Sequence, residues 1–94
     1  MRPYLVREVV GGEPYEYYPL GEHVVRAAGV CDGRPTFKYT RIEITGTIER
    51  LASGETIEQI VEGYRGRVSQ SAILEAFQIV TAMFLDSLPA LEAA

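Results

Sequence analysis

The residues of this chain best suited to chemistry are cations and small polar groups, not nucleophiles. Between Gly33 and Ile42 lie Arg34, Lys38 and Arg41 with no acid among them, and Arg65 and Arg67 flank Gly66 just ahead of Ser69, Gln70 and Ser71. Cations that converge can neutralise phosphates, while Ser and Gln at the start of a helix can reach base edges, Gln pairing with adenine through two hydrogen bonds. The chemistry such a set could perform is recognition of nucleic acid. Catalysis has far less to work with. His23 has no neighbouring His or Cys, and Cys31 has no base at a spacing that would activate it. Glu58 and Glu62 are four apart, the spacing of an exposed helix face. No phosphate-cradling glycine loop or metal-ligand cluster stands in the sequence. The expectation is a protein that is not an enzyme, with no catalytic residue, no metal, no cofactor and no small-molecule substrate.

The elements that must position these groups read as strands first and helices afterwards. Tyr4 to Val10 has the β-branched and aromatic content of a strand, Gly11 to Pro14 reads as a turn, and Tyr15 to Leu20 is expected to pair back as a hairpin. Pro19 should confine that second strand to an edge or end it. Gly21 breaks the chain before a short strand at His23 to Ala27, and Asp32-Gly33 with Pro35 marks a turn. Thr36 to Ile44 reads as an extended segment leading into the helices. Thr45 or Thr47 should open a first helix that Gly54 stops. Thr56 with Gln59 three residues on forms a capping box for a second, which Gly63 and Gly66 end.

Ser69 to Leu85 is the longest run free of Gly and Pro, and it organises the rest. Ser69 can cap its first turn, Val68 and Ile73 have the spacing of a hydrophobic staple, and Asp86, Ser87 and Pro89 close it. Its apolar residues form two rows: Ile73, Phe77, Val80 and Phe84, and beside them Ala72, Ala76, Ile79 and Met83. One row suffices for a core, so the helix is either central and wrapped all round or meets a partner with its second row. Ala76, Ile79 and Met83, together with Tyr15 and Tyr17 of the hairpin, are the expected partner interface. The expected fold class is α+β, mainly α: short N-terminal strands or a hairpin over residues 1–45, then a three-helix helix-turn-helix part over residues 46–88, all in one domain spanning 1–94.

The net charge of −4 is unevenly spread. Residues 1–45 hold six Lys/Arg against six Asp/Glu, whereas residues 46–94 hold three against seven. This counts against a domain that grips nucleic acid broadly through its helices, because phosphate neutralisation needs clustered cations. The first residues lack the apolar run of a signal peptide, no stretch could span a bilayer, and one cysteine forbids an internal disulfide. A cytoplasmic protein without membrane contact is expected, and a 94-residue core is small enough that a homodimer would help complete it.

From Cys31 to Tyr64 the sequence resembles the bacterial family known as domain of unknown function 433. The resemblance rests on Gly33-Arg34-Pro35-Thr36-Phe37-Lys38-Tyr39-Thr40-Arg41-Ile42, on Leu51-Ala52-Ser53-Gly54, on Thr56-Ile57-Glu58-Gln59-Ile60 and on Tyr64. It implies a homeodomain-like three-helix unit after a short β element, and a VapB-like antitoxin that binds operator DNA as a dimer and occludes a PIN-like ribonuclease toxin. Tyr39 stands where the family usually has Gly, and Arg65-Gly66-Arg67 replaces its usual Pro-containing turn. The functional expectation is a small antitoxin-like, DNA-binding regulator. The alternative is a protein-interaction module on the same scaffold without DNA binding, favoured by the acidic helical half. Convergence of Arg34, Lys38, Arg41, Arg65 and Arg67 beside Ser69 and Gln70 would separate the first from the second.

Overall fold

A computed structural model describes residues 4–91; residues 1–3 and 92–94 lie outside the described part, including the end of the Ala90–Ala94 tail. Two glycines start the architecture. Gly11 and Gly12 have φ of +58° and +80°, the pair of positive angles that a two-residue hairpin turn with right-handed strand twist demands. They join β1 (Val6–Val10) to β2 (Glu13–Pro19), pairing Val10 with Glu13 and Val6 with Tyr17. The turn is thus shorter than the expected Gly11 to Pro14, and Pro14 already belongs to the strand.

β2 then pairs with β3 (Val24–Ala27), and β3 with the two-residue β4 (Thr36–Phe37), all antiparallel and in the order of the chain. β2 is therefore interior rather than an edge. It tolerates Pro14 and Pro19 because both sit near its ends, where few ladder donors are lost. Between β3 and β4 a single 3-10 turn, Cys31–Gly33, carries three residues with positive φ. Only the first two residues of the expected extended run Thr36 to Ile44 join the sheet, because the chain turns sharply at Tyr39, whose φ is +67°.

Three helices follow: α1 (Ile44–Ala52), α2 (Ile57–Gly63) and α3 (Gln70–Asp86). α1 opens at Ile44, ahead of both Thr45 and Thr47, with Glu43 at its N-cap and no side-chain cap. Thr47 is instead buried inside the helix, its hydroxyl 2.8 Å from that of Tyr64. At α2 the capping box forms as read: the Thr56 hydroxyl accepts from the Gln59 N–H, and the Gln59 side chain accepts from the Thr56 N–H. The Ser69 hydroxyl accepts from the Ala72 N–H at the start of α3.

The α+β assignment stands, but the weight given to helix does not. Among the described residues 41% are helical and 22% lie in strands, and the strands form a four-stranded sheet instead of a hairpin leading a helical bundle. The reason is the length of the helices. α1 and α2 have nine and seven residues and together bury Ile44, Thr47 and Ile60, too little to enclose α3. The sheet supplies the remaining wall. Val24 of β3 and Phe37 of β4 share one core with Ile44, Ile60, Val68, Ala72, Ile73 and Ala76. Because successive strand residues face opposite ways, Val25 and Ala27 instead join Tyr17 in a second cluster on the other face. Among the described residues no helix is long and apolar enough to cross a membrane.

Candidate functional site

The turn at Tyr39 is held from three sides. Its N–H donates to the Tyr15 hydroxyl at 2.9 Å, its own hydroxyl donates to Glu8 Oε1 at 2.7 Å, and its ring lies 5.4 Å from that of Tyr15. Tyr17 donates to the other oxygen of Glu8 at 3.0 Å. The Tyr39 hydrogen bond first, and the Tyr17 one second, hold the Glu8 carboxyl below the usual carboxylate range. Left-handed backbone at a bulky residue costs about 1–2 kcal/mol, and these contacts from β1 and β2 offset it. The sheet thus fixes a conformation that glycine would take unaided.

Immediately after this turn, Thr40 and Arg41 line a cleft of about 270 Å³ together with Tyr39, Tyr15, Glu13 and Arg67. Arg67 arrives from the α2–α3 turn, where Arg65 and Gly66 both have positive φ (55° and 74°). Two consecutive left-handed residues reverse the chain between helices, and this brings Arg67 to the side of the sheet. Among the described residues neither Arg41 nor Arg67 has a carboxylate partner, and both are exposed. Neither Glu49 nor Glu58 forms an ion pair with Arg41.

The other predicted DNA-binding residues divide. Arg34 is spent elsewhere: its Nε lies 2.6 Å from Glu43, with Asp32 3.5 Å away, and it lines a different hollow beside Leu20 and Met83. Lys38 lies over the rings of Tyr17 and Tyr39, 5.1 Å from each centroid. Arg65 is exposed in the same turn as Arg67. Ser69 is occupied as a cap, leaving Gln70 and Ser71 exposed on the first turn of α3. The five cations do not converge as one set; Arg41 and Arg67 do.

The expected partner interface needs correction. Ala76 is fully buried and Tyr17 is 3% exposed, both inside this chain's own clusters. Ile79 packs against the core, and Tyr15 is half-buried under the Tyr39 turn. Of the five, Met83 alone is fully at the surface. The helices and sheet take the Ala72, Ile73 and Ala76 stripe of α3, which leaves Leu74, Phe77, Phe84, Leu85 and Leu88 outside. Neither row faces out as a whole: Ile73 of the first and Ala72 and Ala76 of the second are buried, while Phe77 and Phe84 of the first and Met83 of the second are exposed, because the rest of the fold covers mainly the first half of α3.

A second junction fixes α3 against the sheet. The Glu75 carboxylate accepts the backbone N–H groups of Glu22 and His23, at 2.9 and 2.7 Å. A Cβ on Gly21 would come within 2.8 Å of Glu75 and Ile79, so the β2–β3 turn needs glycine there for closeness and not for an unusual φ. Sequence reasoning read Gly21 only as a break in the chain and gave Glu75 no role, since nothing local links two groups more than fifty residues apart. His23 lends this contact its backbone rather than its ring.

The segment that carries the cleft is also the segment that carries the family. Residues 24–78 match the family model described as Protein of unknown function (DUF433). The chain belongs to that family. The match starts at β3 and ends within α3, so the β1–β2 hairpin that contributes Glu8, Tyr15 and Tyr17 lies outside it. Neither the curated proteins nor the solved structures compared with the chain gave a match.

Proposed function

We propose that this protein is a small antitoxin-like regulator that contacts DNA phosphates through the Arg41–Arg67 cleft and acts as a homodimer without enzymatic activity. The observation that carries the reading is that two arginines from distant parts of the chain line one cleft and neither forms an ion pair among the described residues, although Glu13 lines the cleft with them. Arg65 and the free first turn of α3, Gln70 and Ser71, extend the same reading toward a neighbouring phosphate and a base edge. The strained backbone at Tyr39 and Arg65 adds support, since such residues gather where geometry serves recognition. Occlusion of a ribonuclease partner is the protein-binding half of the proposal.

The test is binding of the full chain to the DNA upstream of its own coding region across a salt series. With so few cations available the expected salt slope is shallow, and Arg41→Gln with Arg67→Gln should reduce it by about 2. Absence of binding at low salt, or a slope unchanged in the double variant, overturns the reading. A second reading, a protein-interaction module without DNA binding, is favoured by the apolar outer side of α3, which no phosphate would use.

A further inference from the structure

From Phe77 to Leu88, α3 and its end run past the rest of the fold with large apolar side chains in water. Phe77 is 45%, Phe84 62%, Leu85 59% and Leu88 50% exposed. Leu74, Phe77, Thr81, Phe84 and Leu88 follow one another in steps of three and four, the spacing of a coiled-coil seam. At 100° per residue the centre of this seam is rotated about a third of a turn from that of the Ala72, Ile73 and Ala76 stripe, and Phe77 and Phe84 continue the row of buried Ile73 past the end of the core. Asp86 is the sole ionisable residue between Ala76 and Leu91, and it points away from the seam by the same geometry.

We infer that this face is the seam of a homodimer in which two copies of α3 pack antiparallel, with the two-fold axis at Thr81. The inference rests on the homodimer part of the proposed function and not on its DNA part. Two observations select a second copy as the occupant. The sequence carries matched apolar pairs about Thr81: Leu74 and Leu88 lie seven residues to either side and Phe77 and Leu85 four, while Phe84 faces Gln78 at three. An antiparallel partner therefore sets Leu74 against Leu88 and Phe77 against Leu85, twice by symmetry. The middle of the face is hollow, since Gln78, Thr81 and Ala82 floor a groove of about 470 Å³ walled by Leu74, Phe77 and Leu85, a hole for the partner's knobs.

The area is that of a small interface. The exposed fractions of Leu74, Phe77, Phe84, Leu85 and Leu88 amount to roughly 550 Å² per copy, against the about 800 Å² that a standard interface takes from each partner. Direction follows from where the bulk lies. The sheet, α1 and α2 pack on the first half of α3, so antiparallel copies carry their bulk at opposite ends, whereas parallel copies would crowd it together.

The experiment is the mass of the full chain by sedimentation equilibrium in the absence of DNA, with circular dichroism to verify folding. The expected mass is that of two chains. Thr81→Glu places two carboxylates on the axis and should raise the dimer dissociation constant at least about 100-fold while leaving the dichroism unchanged, because Thr81 is exposed in one copy. Direction is read from Phe84→Lys alone and combined with Gln78→Glu. The single variant should be monomeric and the double dimeric, since each Lys then meets a partner Glu. A wild-type monomer means that another protein covers the face and overturns the inference, as does a Thr81→Glu dimer. A monomeric Gln78→Glu, Phe84→Lys double variant overturns the antiparallel register. None of these outcomes bears on the Arg41–Arg67 cleft, which the salt series tests separately.

Discussion

Two buried threonines show how much a single hydroxyl can change. Thr36 and Thr47 are both fully buried, yet the Thr47 hydroxyl meets Tyr64 while that of Thr36 has no hydrogen-bond partner among the described residues. A satisfied buried hydroxyl contributes about 1 kcal/mol, and an unsatisfied one costs a similar amount. Thr47→Val should therefore lower stability by about 1 kcal/mol and Thr36→Val raise it by about as much, both read from the urea midpoint. Glu8 adds a pH dependence at the same scale. Its carboxyl lies below the ordinary value of 4.5 in the folded state, so its contribution is complete above 4.5 and fades as pH falls through the lowered value. Glu43 beside Arg34 and Glu55 beside Arg50 shift in the same direction. Stability should hold through neutral pH and decline below about 4.5, and Glu8→Gln should weaken that decline in urea titrations taken at successive pH values. The Tyr39 substitution was legible in the sequence as a departure from glycine; that three contacts from a hairpin outside the family segment would hold it was not.

At the scale of elements, the caps of α2 and α3 and the hairpin glycines were readable; the start of α1 and the faces of the helices were not. Ser69, Thr56 with Gln59, and Gly11-Gly12 act within a few residues of themselves, and each does so here. Ser69→Ala should cost about 1 kcal/mol, seen as a lower urea midpoint with unchanged slope. The inward face of α3 depends instead on which neighbours arrive. Periodicity showed two apolar rows, and the core takes the start of both, Ile73 from one and Ala72 and Ala76 from the other, leaving the later residues of each exposed. The Glu75 bridge to the β2–β3 turn belongs here as well. Gly21→Ala should displace that carboxylate and leave two backbone donors unpaired, lowering stability by about 1–3 kcal/mol. If the urea midpoint of Gly21→Ala matches that of the wild type, the bridge carries no weight.

For the whole molecule, the short helices and the sheet form one enclosure around the first half of α3, and its second half stays exposed, the face for which a partner is proposed. If that partner is a second copy, folding and assembly are linked, and the urea midpoint should rise with protein concentration. In Thr81→Glu the concentration dependence should vanish. The sequence by itself determined the local units: the strands before the helices, the hairpin glycines, the caps, the long third helix and its excess of apolar surface. These follow from hydrogen bonds and periodicities that close within a few residues. Only the tertiary structure decided that the strands form a full sheet, that Arg41 and Arg67 line one cleft while Arg34 and Lys38 turn elsewhere, and which residues of α3 stay exposed. Each of those outcomes depends on groups far apart in the chain competing for the same space or the same partner, as Glu43 does in taking Arg34, and that competition is settled only when the elements pack.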